Sequence, residues 1–432
     1  MVVADRRIVM PTFHAGQKKI WLQRAKRNSI RCGRRFGKTK MIVTLAVDAS
    51  ARGGKVGVFA PEHKQLQEPY DEILSTLDQE VVGSNKSDGV IKTQEGGKID
   101  FWRLIDNDLA ARGREYDILL IDEAAYTKNG QMIDIWNKGL VPTMATKPNA
   151  RVWAFSTPNG VDQENFFWRL GHDPEMGFRE FHAPSWSNPL VDRSWIEAER
   201  TRLHPDVFRQ EILAEWVDWS GVAFFSLEKW LEHGSPLPFP KHCDRVFAVI
   251  DSAVKTGSSN DGTAVLYLAR NQYSGTPLII LDWEIIQIES DLLVNWLPNV
   301  VFPRLDELAR ICGAREGVRG TWVEDKASGM TLLQHGKRHG WNVHPIASEF
   351  TALGKDERAL AVSSHHYQGM AKISEHAHNK TMNYKGVVRN HLESQVTGYH
   401  LGDKDAAKRA DDLLDVYVYG LSLALGGNKG FS

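Results

Sequence analysis

Cysteine is scarce in this sequence, and its three cysteines lie far apart. Cys32, Cys243 and Cys312 form no Cys-x-x-Cys pair. A disulfide framework or a zinc site needs more cysteines at closer spacing, so both are disfavoured and a reducing compartment is indicated. Long apolar runs are missing too, which argues against a membrane-spanning segment. The first residues lack the apolar stretch of a signal peptide, so we expect none.

A strong charge of either sign is also absent. The 432 residues carry 53 Lys and Arg against 54 Asp and Glu, and 42% hydrophobic residues are typical of a globular protein of two or three domains. The charge is unevenly spread, however. Residues 1–40 hold twelve Lys and Arg and one acid, and residues 326–409 hold twelve Lys and Arg, seven acids and nine of the sixteen histidines. A charged run is usually a solvated face, but two basic regions in a neutral chain fit a polyanion path better.

The most informative stretch is Cys-Gly-Arg-Arg-Phe-Gly-Lys-Thr, which ends at Thr39. It matches a phosphate loop except that cysteine stands where the first glycine is usual. A predicted strand at 29–31 precedes it and a predicted helix, Met41–Ala51, follows it, which is the context that such a loop requires. Lys38 would reach the β- and γ-phosphates, and the Thr39 hydroxyl would hold Mg²⁺. The residues expected around the phosphates are Cys32, Gly33, Arg34, Arg35, Phe36, Gly37, Lys38 and Thr39.

Four apolar residues followed by two acids form the second signal, Ile118–Glu123. The apolar run predicts a buried parallel strand, and ligands bind at the carboxyl end of such strands. Asp122 would hold Mg²⁺ through water, and Glu123 would polarise the attacking water. The alternative is a helix N-terminus that carries acids. Because the two motifs occur in the required order, 84 residues apart, they favour an ATPase.

Two weaker signals support a nucleotide site. Gln17 lies upstream of the loop and could pair with the N6 and N7 atoms of adenine, although a surface glutamine on a helix is the simpler reading. Ser156 and Thr157 follow the predicted strand 151–155 and could sense the γ-phosphate, although they could equally form a plain turn. That strand, inserted between the two nucleotide motifs, is typical of RecA-like motors rather than small-molecule kinases.

Four arginines are candidates for an arginine finger, because a guanidinium stabilises the charge that develops in phosphoryl transfer. They are Arg34 and Arg35 in the loop, and Arg112 and Arg114 shortly before the acidic pair. For each one, a structural ion pair is an equal alternative.

The domain boundary is expected between residues 186 and 244. This stretch holds two predicted helices, Asp192–Leu203 and Pro205–Trp216, and a proline-rich segment, 235–240. The predicted organisation is a P-loop ATPase core over 1–185, a linker or lid subdomain over 186–244, and a nuclease domain over 245–432.

The second half contains spaced carboxylates. A predicted strand delivers Asp251 at its end and begins an antiparallel meander, and a later strand ends at Glu324 and Asp325. A predicted helix, Asp405–Leu425, has Leu414, Val418 and Leu421 on its buried side. The same helix carries Asp411, Asp412 and Asp415.

Carboxylates in this order form an RNase H-like site, which binds two divalent ions about 4 Å apart. Oxygen ligands suit Mg²⁺ or Mn²⁺. The alternative is that the acids cap strand ends and solvate a helix. The histidine pairs, 365–366 and 376–378, lack metal-ligand spacing and are predicted at the surface or facing DNA.

Taken together, these motifs resemble the large terminase subunit of tailed bacteriophages over nearly the whole chain. The resemblance implies an α/β fold, with a RecA-like P-loop ATPase domain followed by an RNase H-like nuclease domain. It also implies an ATPase that threads double-stranded DNA into a procapsid through a portal ring. A metal-dependent endonuclease that cuts the concatemer at initiation and termination is implied as well.

The resemblance also implies roles for single residues. Ser156, Thr157 and Pro158 match the motif that couples hydrolysis to movement, and Arg112 matches the best candidate for a finger acting in trans. Asp251 matches the first nuclease carboxylate. Glu324 is preferred for the second, with Asp325 in reserve, and the third is open among Asp411, Asp412 and Asp415. Some members of the family have histidine at the place where this chain has Asp412.

The implied cofactors are ATP with Mg²⁺ in the first domain and two Mg²⁺ or Mn²⁺ in the second. The implied partners are double-stranded DNA, the portal ring, the small terminase subunit and further copies of the chain in a ring on the portal, with a monomer in solution left open. No membrane is implied, and the place of action is the host cytoplasm rather than the mature virion. Two alternatives are a DNA helicase or repair translocase with an accessory nuclease, and an ATP-dependent DNA clamp with an inactive second domain.

Overall fold

The chain forms two compact units. The computed structural model describes residues 8–104, 113–127, 131–219, 224–252, 262–272, 275–288, 290–325, 328–400 and 410–426. Unit 1 comprises Met1–Thr201 and Pro205–Asp218, and unit 2 comprises Arg202–His204 and Trp219–Ser432. The residues of the expected linker, 186–244, are divided between the two units.

Unit 1 is built on a mostly parallel sheet, with eight strands among the described residues. They are β1 (Arg27–Cys32), β2 (Lys55–Ala60), β3 (Val81–Asn85), β4 (Val90–Thr93), β5 (Lys98–Arg103), β6 (Ile118–Ile121), β7 (Arg151–Ser156) and β8 (Arg179–Ala183). Their order is β3-β4-β5-β2-β6-β7-β1-β8. β4 pairs antiparallel with β3 and β5, and the other pairs are parallel. β7 lies between β1 and β6, which confirms the RecA-like strand insertion.

Helices cover the sheet of unit 1. The helices are α1 (Ala15–Leu22), α2 (Lys38–Ala51), α3 (His63–Leu77), α4 (Gln131–Asp134), α5 (Phe166–His172), α6 (Arg193–Arg202) and α7 (Pro205–Glu211). All four residues of β6 are buried, as expected for a strand that is covered on both faces. The carboxyl ends of β1, β7 and β6 are neighbours at one edge of the sheet, because the three strands run parallel.

Unit 2 is built on a mixed sheet in the order β13-β12-β9-β10-β11-β14. Its strands are β9 (Arg245–Asp251), β10 (Thr263–Arg270), β11 (Leu278–Ile286), β12 (Val318–Val323), β13 (Val343–Pro345) and β14 (Ala371–Ile373), and a separate hairpin is formed by β15 (Met382–Tyr384) and β16 (Val387–Arg389). β9, β10 and β11 form the predicted antiparallel meander, and β12 runs parallel to β9. The carboxyl ends of β9 and β12 therefore lie side by side.

The helices of unit 2 cover this sheet. They are α8 (Leu227–Trp230), α9 (Ser290–Trp296), α10 (Phe302–Ile311), α11 (Ser328–His339), α12 (Ser348–Thr351), α13 (Lys355–Tyr367), α14 (Glu375–Asn379), α15 (His391–Thr397) and α16 (Asp412–Leu425). None of the helices in the described ranges is long and apolar enough to cross a membrane.

The C-terminal helix α16 differs from its prediction in two ways. It begins at Asp412, with Asp411 as the cap, whereas the predicted start at Asp405 lies outside the described residues. It is also buried on all sides up to Ala424, so the prediction of a single buried face is wrong. The spacing of apolar residues within one helix cannot reveal burial of its other faces, because neighbouring helices and the sheet cover those faces. The predicted fold class, a RecA-like P-loop unit followed by an RNase H-like unit, is confirmed.

Candidate active sites

Cys32, the irregular first residue of the loop motif, lies in the core of unit 1. It is the last residue of β1, it is fully buried, and its Sγ lies 3.8 Å from the carbonyl oxygen of Ser156. Burial raises the pKa of the Cys32 thiol to about 12, so the side chain stays neutral. The position faces the core of unit 1, and the loop proper begins one residue later.

Gly33 and Gly37 supply the backbone geometry of the loop. A Cβ on Gly33 would lie 2.4 Å from the carbonyl oxygen of Ile212, so no larger residue fits there. Gly37 has a φ of +98°, in the left-handed region that favours glycine, and α2 begins directly after it. The first N–H groups of α2 have no intrahelical acceptor and face the loop, which is the arrangement that binds phosphate.

Gln17 of α1 and His14, the N-cap residue of that helix, both contact this loop. The Gln17 side chain is buried; its Nε2 donates to the carbonyl of Gly37 at 2.9 Å, and its Oε1 accepts from the His14 backbone at 3.1 Å. The reading of Gln17 as a surface residue is therefore wrong. His14 Nδ1 accepts from the Gly16 backbone, so Nε2 carries the hydrogen and donates to the carbonyl of Phe36 at 2.9 Å. Pairing of Gln17 with adenine stays a prediction.

Lys38 and Glu123 form the centre of the first site. The Lys38 ammonium donates to Glu123 Oε1, across from the loop to the end of β6. Burial alone would lower the pKa of Lys38, but the charges of Glu123 and Asp122 outweigh it and raise that pKa. Glu123 has a φ of +48°, an uncommon backbone conformation for a residue with a side chain. The chain thus turns sharply here and directs the carboxylate at the loop.

Asp122 lies beside this ion pair and is almost fully buried. Burial raises the pKa of Asp122 to about 6; the attraction of Lys38 opposes that rise, and the negative charge of Glu123 adds to it. The ammonium of Lys38 contacts Glu123 directly. Its attraction therefore offsets only part of the rise that burial causes in the pKa of Asp122. A divalent cation at this position would favour the ionised form of Asp122.

Ser156 connects the carboxylate to the next strand. Its Oγ donates to Glu123 Oε2 at 3.3 Å and accepts from the Ala125 backbone at 3.2 Å. The neighbouring Thr157 hydroxyl lies 3.2 Å from the Tyr126 hydroxyl. The ends of β6 and β7 are therefore joined by hydrogen bonds through the pair that was predicted to sense the γ-phosphate. Thr39 lies in the first turn of α2, next to Lys38.

The four candidate arginines are not equivalent. The Nε of Arg34 lies 2.6 Å from Glu211 Oε2, although the Arg34 side chain is 67% exposed. Arg35 is exposed, and its carbonyl accepts from Asn188 Nδ2 at 2.8 Å. Arg114 pairs with buried Asp100 at 3.0 Å, which is the structural ion pair that the sequence left open. Arg112 lies outside the described residues.

The second site collects carboxylates at one edge of the sheet of unit 2. Asp251 ends β9, Glu324 directly follows β12, and Asp412 and Asp415 lie in the first turn of α16. Burial, followed by the negative charges of Asp415, Asp412 and Glu324, raises the pKa of Asp251 well above its usual value. Carboxylates from three distant parts of the chain are thus close enough to repel one another.

The remaining acids of this region have different surroundings. Asp412 Oδ2 accepts from the Gly262 backbone at 3.3 Å, and Asp412 is buried. Asp325 is exposed, whereas Glu324 is half-buried and contributes to the negative charge around Asp251. Asp411 occupies the N-cap position of α16, and its side chain pairs with Lys355.

Two cations that the motifs did not single out contact these carboxylates. The ammonium of Lys355 pairs with Asp411 and lies 3.0 Å from Asp415 Oδ2. Arg358 Nη2 donates to Asp415 Oδ1 at 2.8 Å. Both cations belong to α13 and are three residues apart, so they lie on one face of that helix. No local signal in the sequence pointed to them beyond the basic region that contains them.

The donor set fits a hard divalent cation in chemistry and charge. Its members are all carboxylates, which are the ligands that Mg²⁺ and Mn²⁺ prefer. In the part of the chain that the structure describes, no group of three His, Cys, Asp or Glu side chains is arranged to hold a metal ion. Lys355 and Arg358 instead pair with Asp411 and Asp415, at the start of α16.

His366 is not at the surface, so that prediction is wrong. Its ring is buried, with Nδ1 2.7 Å from the Tyr417 hydroxyl and Nε2 3.0 Å from the carbonyl of Ser226. Burial lowers the pKa of His366 to about 3, so it is a neutral core residue.

Comparisons with known proteins identify relatives in sequence. No family model matches the chain. It is 26% identical over 261 residues to the terminase large subunit of Escherichia phage T5, which covers 58% of each protein. It is 34% identical over 134 residues to the terminase large subunit of Thermus phage G20c, which covers 27% of this chain and 26% of that protein. The chain thus matches a little over half the length of the T5 protein and about a quarter of the G20c protein.

A comparison of structures extends the similarity to nearly the whole chain. The fold matches the large terminase of a thermophilic bacteriophage with a TM-score of 0.68 and 14% identity, over 96% of this chain and 100% of that one. The same thermophilic phage protein in a complex with ADP matches with a TM-score of 0.65. The predicted resemblance to the large terminase subunit of tailed bacteriophages is therefore confirmed, in sequence and in fold.

Proposed function

We propose that this chain packages and cuts the genome of a tailed bacteriophage. ATP hydrolysis in unit 1 would drive double-stranded DNA into a procapsid, and a two-metal endonuclease in unit 2 would cut concatemeric DNA at initiation and termination. The observation that supports this most is the presence of two separate acid sites on one chain. One is the Lys38–Glu123 pair beside the phosphate loop, and the other is the carboxylate cluster around Asp251.

In unit 1, we assign Lys38 to the β- and γ-phosphates of ATP. The phosphates would draw its ammonium away from Glu123, whose carboxylate could then accept a proton from the attacking water. Thr39 and Asp122 would hold Mg²⁺, which offsets the charge on the phosphate oxygens when it is bound. Ser156 donates to Glu123, so it is placed to pass this change to the loop that follows β7. Arg112 remains the preferred finger.

In unit 2, we assign Asp251 and Glu324 as ligands from the sheet. Glu324 is preferred to Asp325 because it is half-buried and its charge acts on Asp251, whereas Asp325 is exposed. Asp412 and Asp415 would complete the set from α16. A pair of Mg²⁺ or Mn²⁺ ions, when bound, activates water and stabilises the leaving oxygen of a phosphodiester.

The proposed partners follow from the same assignment. They are double-stranded DNA, a portal ring, a small terminase subunit and further copies of this chain in a ring, and the work would take place in the host cytoplasm. The T5 and G20c proteins are named as large subunits of terminase, which supports a small subunit as partner.

Phosphate release from ATP, with and without linear duplex DNA, tests the motor, together with strand separation of a short duplex. We expect the duplex to stimulate hydrolysis without being unwound, and Glu123→Gln to abolish the stimulated rate. Unwinding of the duplex would favour the helicase alternative. Binding of DNA without any hydrolysis would favour the clamp.

A further inference from the structure

Lys355 is placed where a metal ion would neutralise the carboxylates of unit 2. Its ammonium contacts Asp411 and Asp415 together, at the start of α16. Burial would lower the pKa of Lys355, but Asp415 and Asp411 outweigh it and raise that pKa, so the ammonium remains charged. Its charge also reaches Asp251, where it opposes the effect of the neighbouring acids.

The two cations of α13 differ in their freedom to move. The Lys355 side chain is 29% exposed, whereas that of Arg358 is 9% exposed. Lysine carries a compact charge on a flexible four-carbon stem, while arginine presents a rigid fork. Lys355 can therefore withdraw to solvent, and Arg358 is held against Asp415.

We propose that Lys355 is a resident cation that a divalent metal ion displaces. In the metal-free protein its ammonium balances the charges of Asp411 and Asp415 and keeps both side chains in place. When the metal binds, the ammonium leaves Asp411 and Asp415, and Asp415 turns to the metal while Arg358 fixes its other oxygen. Lys355 is thus a positioning residue that competes with the metal. The inference rests on the proposed metal site of unit 2.

Mn²⁺ titration of the full chain by calorimetry tests the exchange, with Lys355→Met as the variant. Native protein must give up an ion pair to bind Mn²⁺, and the variant does not. We expect the variant to bind Mn²⁺ about tenfold more tightly, which corresponds to about 1.4 kcal/mol. Thermal unfolding provides a second readout: in EDTA the variant should melt below the native chain, and added Mn²⁺ should raise its Tm by more.

Two further variants keep the test decisive. Lys337→Met removes an exposed lysine of α11 and should bind Mn²⁺ like the native chain. Lys355→Arg keeps the charge, so it should show no gain in affinity. Lys355→Gln also removes the charge, and it replaces Lys355→Met in the test if that variant does not fold. Equal or weaker Mn²⁺ binding by Lys355→Met would overturn the exchange alone. A native chain that binds no Mn²⁺ at all would overturn both the exchange and the proposed nuclease.

Discussion

Both candidate sites contain a lysine that is paired with acids, but the ligands proposed for the two sites have opposite charges. In each, a lysine pairs with an acid at the carboxyl edge of a sheet: Lys38 with Glu123 in unit 1, and Lys355 with Asp411 and Asp415 in unit 2. The expected ligand in unit 1 is an anion, which attracts the lysine away from the acid. The expected ligand in unit 2 is a cation, which replaces the lysine. In both sites the proposed ligand would therefore have to displace an ion pair within the protein.

Removal of Lys38 should produce the largest functional effect and should be confined to unit 1. Lys38→Ala takes away the charge that would bind the phosphates and removes the cation that pairs with Glu123. We expect steady-state ATP hydrolysis to fall by about 10²- to 10³-fold, as for other preorganised contacts to developing charge. Lys40→Ala removes an exposed lysine of the same helix and should keep the native rate. A decrease of only a few-fold in Lys38→Ala would contradict the assignment.

Removal of Arg358 should destabilise unit 2, because Asp415 then keeps only Lys355 of its two cations on α13. The Arg358–Asp415 pair is buried, and loss of one partner of such a pair costs about 3 kcal/mol or more. We expect Arg358→Met to lower the free energy of unfolding by this amount in EDTA, measured by urea unfolding. Added Mn²⁺ should recover part of the loss. Arg338→Met, at an exposed position of α11, is the control, and an equal loss in both variants would show that the pair is not important.

The elevated pKa of Asp122 predicts a pH-dependent difference between the native chain and Asp122→Asn. Burial raises the pKa of the Asp122 carboxyl from its ordinary value of 3.8 to about 6 in the folded chain. The contribution of this group to folding stability is therefore fully present below pH 3.8 and is lost as the pH rises through 6. Asparagine does not titrate. The free energy of unfolding of the variant, relative to the native chain, should therefore rise by up to about 3 kcal/mol between about pH 4 and pH 7.

Urea unfolding at both pH values, without nucleotide or metal, measures this difference. Other titrating groups cancel because the same pH is used for both proteins. Asp134→Asn, at an exposed position, should show no such rise. A constant difference for Asp122→Asn would contradict the burial of that carboxylate in its neutral form.

Cys32, at the end of β1, and Gly33, at the start of the loop, should differ in their tolerance of alanine. Gly33→Ala would place a methyl group 2.4 Å from the carbonyl oxygen of Ile212 and should lower the free energy of unfolding by about 2 kcal/mol. Cys32→Ala removes a buried thiol and should cost about 1 kcal/mol, with ATP hydrolysis unchanged. Thermal unfolding and phosphate release measure both effects. A loss of hydrolysis in Cys32→Ala would assign that thiol a role at the phosphates.

Sequence motifs singled out the central residues of the first candidate site but missed two cations of the second, and the reason is physical. Lys38 and Glu123 each lie in a local motif, a loop before a helix and two acids after an apolar strand, so neighbouring residues reveal them. Asp251 was also evident, because a buried strand ends at it. Lys355 and Arg358 have no such neighbours, and they meet their partners 56 and 57 residues further along the chain.

Burial was the property that the sequence predicted least well. Gln17 and His366 are polar, and their burial depends on acceptors and donors that come from distant segments, such as Gly37 and Tyr417. For α16, the apolar periodicity predicted one buried face, whereas packing from several directions buries the whole helix. Tertiary contacts, rather than local pattern, decide these cases.

Plasmid cleavage in Mn²⁺ tests most directly whether the chain holds two independent sites. The comparison uses the native chain, Asp251→Asn and Glu123→Gln, with ATP hydrolysis measured on the same samples. We expect the native chain and Glu123→Gln to cut the plasmid, and Asp251→Asn to lose cutting while it hydrolyses ATP at the native rate. Native-like cutting by Asp251→Asn, or loss of cutting in folded Glu123→Gln, would contradict the assignment of separate sites.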